Sequence, residues 1–213
     1  MKGLLLKDFY LLIKKCKYIF LLVVIYIAIT LIPERDSFFN AFSVIFAGMI
    51  PYTLLTYDER DKWDRYVNIL PVSKAQIVAS KYIIGIIVIS VVVLLNFICL
   101  FIKSGSFAVS VMNVSVILFI GVIFPSFSLP IIFKFGFAKG KMISTFLAAI
   151  IAISTAVCSN IAFVDALGNE IPIRMNALNF GLYLPVILFA LSAVIYALSY
   201  LISVKIYEKR EIK

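Results

Sequence analysis

Charged residues fall in a few short clusters along this chain, and long stretches between them carry none. Charge-free runs cover residues 18–33, 37–57, 82–102, 104–133, 142–164 and 175–204. Five of these runs are 21 to 30 residues long, and a helix needs about 20 apolar residues to cross a bilayer. The first run has 16 residues. Lys14, Lys15 and Lys17 stand just before it, and their aliphatic stems can snorkel toward head groups and lengthen it. The pattern predicts six transmembrane helices.

Ahead of the first run, Leu5, Phe9, Leu12, Ile13 and Cys16 recur at helical spacing, with Lys7, Lys14 and Lys15 placed away from them. A basic amphipathic helix of this kind lies at a membrane interface and is drawn to anionic lipid. Residues 1–17 are therefore read as an interfacial helix that does not cross. Lys7 and Asp8 interrupt the apolar stretch and no small-residue cleavage site follows, so it does not read as a signal peptide.

The breaks between runs differ in kind. Residues 33–36 (Pro33, Glu34, Arg35, Asp36) and Lys103 to Ser106 are short enough for tight hairpins. Gly121, Pro125 and Pro130 predict a kink or break late in the fourth run. Residues 163–180, with Asp165, Glu170, Pro172 and Arg174, form a longer connection. No repeat of the length used by solenoids is present, and residues 1–213 read as a single transmembrane unit with a charged tail over 205–213.

The segment 58–81 is different. Asp58 to Arg65 carries seven charges in eight residues. It extends the second span as a helix, with Trp63, Tyr66 and Leu70 at helical spacing, until Pro71 stops it. Ser73 and Gln76 then make an S-x-x-Q capping box, with Val72 and Ile77 placed as a hydrophobic staple. A new helix should start there and run into the third span. The product is an elbow of two helix extensions joined by a fixed turn.

Composition agrees with the membrane reading. The 213 residues are 63% hydrophobic and 15% charged, with a mean hydropathy of +1.10, which no soluble domain of this size could bury. The net charge of +9 does not point to nucleic acid, because of where the charges lie. Seventeen of the 20 basic residues fall in the N-terminal segment, residues 58–81, residues 134–141 and the tail. Only Arg35, Lys103 and Arg174 fall in the alternate connections. The positive-inside bias puts both termini and the 58–81 segment in the cytoplasm of a multi-pass plasma-membrane protein.

Candidate chemistry is sparse. With no His, imidazole metal sites and His-based triads are excluded. Cys16, Cys99 and Cys158 have no ligand or disulfide spacing. None of the six runs holds the buried charge that ion-coupled carriers, intramembrane proteases or lipid-modifying enzymes use. Gly136 to Met142 imitates a phosphate-binding loop, but it has three residues between the glycines and Met142 where Ser or Thr should hold magnesium. It reads as a basic connector. The chain thus has a transporter's layout without an internal energy source, and 58–81 is its one sizeable structured surface on the cytoplasmic side.

The elbow resembles the first cytoplasmic loop of type-2 ABC (ATP-binding cassette) transporter permeases. The likeness rests on Glu59, Trp63, Leu70-Pro71-Val72-Ser73, Ile77-Val78 and Ser80-Lys81-Tyr82. In layout it covers essentially the whole chain, and it is nearest to small peptide and phenol-soluble-modulin exporter permeases of Gram-positive bacteria. The resemblance implies an all-α membrane protein with a coupling helix between spans two and three that docks on a cytoplasmic ATPase subunit. Its docking residues would be Asp58, Glu59, Arg60, Lys62, Trp63, Arg65 and Tyr66, with Pro71, Ser73 and Gln76 forming the turn and cap. It also implies a second permease chain, identical or paralogous, a surrounding of membrane lipid, and ATP with Mg held by the partner rather than by this chain. The expected function is a non-enzymatic permease subunit that exports an amphipathic or hydrophobic cargo such as a peptide. The alternative is a non-transporting immunity or assembly factor that uses the same loop for docking.

Overall fold

A computed structural model describes residues 2–30, 38–61, 63, 73–161 and 180–209. The predicted 33–36 hairpin, most of the 62–72 segment and the 163–180 connection lie outside the described residues. Among the described residues every element is a helix: α1 (Lys2–Lys15), α2 (Lys17–Thr30), α3 (Phe38–Arg60), α4 (Lys74–Ser104), α5 (Phe107–Phe135), α6 (Phe137–Ile161) and α7 (Phe180–Lys209). Stretches this apolar can satisfy their backbone polar groups in lipid only as helices.

Three described segments are long and apolar enough to cross a membrane: Lys74–Lys103, Phe107–Phe135 and Tyr183–Lys209. Lys17–Ile29 and Met142–Ile151 are shorter apolar helices. The cap at Ser73 forms as the sequence predicts. Ser73 Oγ accepts the Gln76 amide and Gln76 Oε1 accepts the Ser73 amide, each at 3.3 Å. From there α4 continues unbroken to Gly105, whose φ of +62° ends it in the left-handed region that favours glycine.

α5 lies at the centre and packs against α3, α4, α6 and α7. It departs from expectation by staying helical through both Pro125 and Pro130. A proline removes the bond to the carbonyl four residues earlier. For Pro130 that carbonyl belongs to Ser126, and the Ser199 hydroxyl of α7 donates to it at 2.6 Å. The neighbour supplies the missing donor, so the helix need not break. The carbonyl freed by Pro125 is that of Gly121, where α3 packs close. A Cβ on Gly121 would stand 2.0 Å from Val44 Cγ1, and one on Gly48 would stand 3.0 Å from the Gly121 oxygen. Two facing glycines set this crossing, as small residues do where helices pack in lipid.

α1 and α2 nearly join, with a bend at Cys16. Leu4, Asp8, Leu12 and Cys16 form the buried face of α1, with Leu5 packed beside them. Phe9 and Ile13, expected on that face, are 55% and 59% exposed and lie on the outer flank with Leu6 and Tyr10. The apolar stripe is wider than its packed part, because both the core and lipid accept apolar side chains.

Candidate functional site

Among the described side chains Asp8 is the one charge on the buried face of α1, and it is 1% exposed. On α4, Ile77, Val78, Lys81, Tyr82, Ile84 and Val88 point inward, so Lys81 also sits among apolar neighbours, at 2% exposure. A lysine is almost never buried this completely without partners. Here its Nζ lies 2.6 Å from Asp8 Oδ1 and 2.5 Å from Oδ2 of Asp58, a buried residue in the last turns of α3. Lys7 completes the group, 2.6 Å from Asp58 Oδ1 and 3.4 Å from Asp8 Oδ1. Ser80 Oγ stands 3.1 Å from Asp8 Oδ2 and 2.9 Å from the Ile77 carbonyl, with one proton to donate between them.

Two cations and two carboxylates thus meet where α1, α3 and α4 converge. Each carboxylate oxygen of Asp8 and Asp58 has a partner, which is the condition for burying an ion cluster without a large desolvation loss. The cluster extends to the elbow through Lys7, whose Nζ is 3.8 Å from the centroid of the half-buried Trp63 ring, in cation–π range. Beside it an open groove of about 620 Å³ runs between α1 and the end of α3, bordered by Leu6, Phe9, Tyr10, Asp61 and Trp63. Lys15 lies 5.7 Å from the Tyr57 ring centroid, so α1 meets the end of α3 at a second point.

Of the residues expected to form the docking surface, Arg60 is exposed and Trp63 half-buried. Asp58 faces inward and is taken up by Lys7 and Lys81, and Lys7 turns into the cluster rather than away from the protein. Glu59 belongs to α3, but its side chain lies outside the described residues, as do Lys62, Arg65, Tyr66 and Pro71. Ser73 and Gln76 hold the cap at the other end of the elbow. The sequence marks Lys81 within Ser80-Lys81-Tyr82 and Asp8 as a break in an apolar stretch, without giving either a place in a buried cluster. The available signal was one acid and one base, each at a position where its helix otherwise turns apolar residues inward.

Polar uncharged residues of the apolar helices are candidates for lining a cargo path, and among the described ones Asn96, Ser115 and Ser126 bond within the bundle. Asn96 donates to Ser43 Oγ at 2.9 Å and to the Val92 carbonyl, while Ser115 and Ser126 bond to carbonyls of their own helix. Among the described candidates Ser90 is exposed, Asn113 is half-buried, and Ser128 Oγ is buried without a hydrogen-bond partner. The side chains of Ser154, Thr155, Ser159 and Asn160 lie outside the described residues. The stretch imitating a phosphate loop is a helix junction: α5 ends at Gly136 with φ +76°, α6 begins at Phe137, and Gly140 packs on Ile132.

No significant match to a curated protein or to a solved structure was found. The family described as ABC-2 family transporter protein matches residues 3–208, from α1 to the last turn of α7. That span takes in the ion cluster, the elbow and all the apolar helices, and it makes this membrane-embedded chain a member of the ABC-2 family of transporter proteins.

Proposed function

We propose that this chain is the permease subunit of an ABC exporter and moves an amphipathic or hydrophobic cargo, such as a peptide, out of the cell. Membership of the family supports a transport role rather than a catalytic one, with ATP hydrolysed by an associated ABC ATPase subunit. In this reading the chain crosses the plasma membrane six times with both termini cytoplasmic, pairs with a second permease chain, and docks the ATPase on residues 58–66. The likeness to peptide and phenol-soluble-modulin exporters belongs to the same proposal.

The observation that carries this reading is the cluster of Lys7, Asp8, Asp58 and Lys81. A segment that only docked a partner would need no rigid attachment to the bundle. Here the base of the elbow is bound through Asp58 to both the interfacial helix and the start of α4. Movement of the docked segment would therefore be passed to a 31-residue helix. Asp58 acts in this reading as the anchor of the coupling segment, while Arg60, Trp63 and their neighbours face the partner. Aromatic anchors dominate such interfaces, and charges around them set register.

The test is the double variant Trp63→Ala with Tyr66→Ala, compared with the parent for ATPase pull-down, ATP turnover and export. Loss of two hot-spot aromatics, at roughly 2–4 kcal/mol each, should release the ATPase and stop export while the protein still inserts and pairs. Full retention of ATPase binding and export would refute docking at this segment.

A further inference from the structure

A second concavity lies away from the ion cluster, between α4, α5 and α7, with a volume of about 540 Å³. Ala79, Ile83 and Ile86 of α4, Val122 of α5, and Ala197 and Tyr200 of α7 form its walls. We infer that this groove binds one acyl chain of an anionic phospholipid, from the leaflet that meets the N-terminal end of α4.

Depth supports this occupant. Along α4 the lining runs from Ala79 to Ser90, a rise of about 16 Å at the helical pitch. Half of a hydrocarbon core about 30 Å thick is about 15 Å. The groove starts six residues beyond the Ser73 cap and therefore spans one leaflet only. Its volume is within the roughly 300–1,000 Å³ of small-molecule sites.

The lining chemistry selects hydrocarbon. The hydroxyls of Tyr82, Tyr196 and Ser192 in the lining are engaged inside the bundle, while Ser90 stands exposed at the far end of the groove. Tyr82 Oη is 2.7 Å from both Ser199 Oγ and Ser203 Oγ, and Tyr196 Oη donates to the Tyr82 carbonyl at 2.8 Å. An extended peptide in this apolar groove would leave its backbone groups unpaired, a cost that an acyl chain does not carry. Charge at the mouth selects the head group. Lys74 begins α4, and Lys205 and Lys209, exposed with Glu208 on the last turns of α7, lie at the same end, beyond the groove lining. Lys74 Nζ also bonds across to the Glu208 carbonyl at 3.1 Å, tying the two helices at the mouth. Basic residues at this depth attract anionic lipid.

The experiment uses the full chain in nanodiscs containing phosphatidylglycerol with a photoreactive diazirine at mid-chain, with labelled sites mapped by mass spectrometry. Ile86 and Val91, on the same helix, are 50% and 51% exposed and so form an internal comparison. Label at Ile83 and Ile86 should exceed label at Val91 by about ten-fold, a difference of one decade in occupancy. Excess unlabelled phosphatidylglycerol should remove the preference and phosphatidylcholine should not. Ala197→Phe should bring Ile86 down to the level of Val91. Because a variant can fail by misfolding, the competition arms on the unaltered chain decide the matter independently. Equal labelling of Ile86 and Val91, marking ordinary lipid contact, would overturn the site. So would efficient disulfide formation between two Ile86→Cys chains, which would place a second copy in the groove. Equal competition by the two lipids would overturn the anionic assignment.

Discussion

Lys81 and Asp8 are 73 residues apart in the chain, yet their charged atoms meet at 2.6 Å with almost no solvent exposure. Removing one member of a buried ion cluster leaves the others uncompensated, at a cost of about 3–5 kcal/mol. Lys81→Met should therefore destabilise the purified protein by that order in denaturant unfolding. Adding Asp8→Asn restores neutrality among the remaining Lys7 and Asp58, so the double variant should lose less than the sum of the two single changes. Strict additivity would show that the two residues are not energetically coupled. Lys7, whose side chain is 23% exposed, should cost less when changed to Ala.

The glycine crossing of α3 and α5 provides a second test. Gly121→Ala would place a methyl 2.0 Å from Val44 Cγ1, and overpacking of this kind costs about 1–3 kcal/mol. The variant should melt earlier, and Val44→Ala in the same chain should recover part of the loss. A Gly121→Ala protein as stable as the parent would mean that the two helices do not cross this closely.

Cys16 is fully buried at the α1–α2 bend, and burial pushes its thiol up from an ordinary value near 9 to about 11. Since the thiolate is the reactive form, the raised value cuts its fraction near neutral pH by about 100-fold. With Cys99 and Cys158 changed to Ser, maleimide should label Cys16 far more slowly than a cysteine placed at the exposed position 13 (Ile13→Cys). Comparable rates would show that α1 does not cover this bend.

The cap at Ser73 connects local structure to the coupling proposal. Ser73→Ala with Gln76→Ala removes both 3.3 Å cap bonds and should loosen the first turn of α4 by about 1–2 kcal/mol. Hydrogen exchange should accelerate at residues 76 and 77 but not deeper in α4. With an ATPase partner bound, hydrolysis should continue while export falls. Unchanged exchange would show that the box is not what holds the helix start.

The proposed topology rests on the distribution of basic residues, which puts 17 of 20 on one side. Single cysteines near Asp36, at Ser104 or near Asn169 should react with an impermeant reagent applied to intact cells. Those at Asp61 or Lys139 should not. The reverse pattern would invert the orientation.

Much of this protein was legible before any fold was known, because the deciding physics was local. Apolar runs as long as residues 104–133 have only helical ways to satisfy their backbone in lipid. The start of α4 follows from Ser73 and Gln76, three residues apart. The end of α4 falls in the short 103–106 connection read from the sequence, and the structure places it at Gly105 in a left-handed conformation. The faces that pack were not legible in the same way. Lipid tails and neighbouring helices are equally apolar, so Phe9 and Ile13 look the same in sequence whether they meet a helix or the bilayer. Proline signals were equally ambiguous: Pro130 breaks a helix only if its freed carbonyl goes unbonded, and it is Ser199, on another helix, that donates to Ser126. The charges show the division most clearly. Read alone, Asp58 belonged to a docking segment, Lys7 and Lys81 to the basic-residue topology signal, and Asp8 only to a break in an apolar stretch. Only convergence of three helices makes them one buried, neutral cluster, since a charge's partner depends on distance through space rather than along the chain.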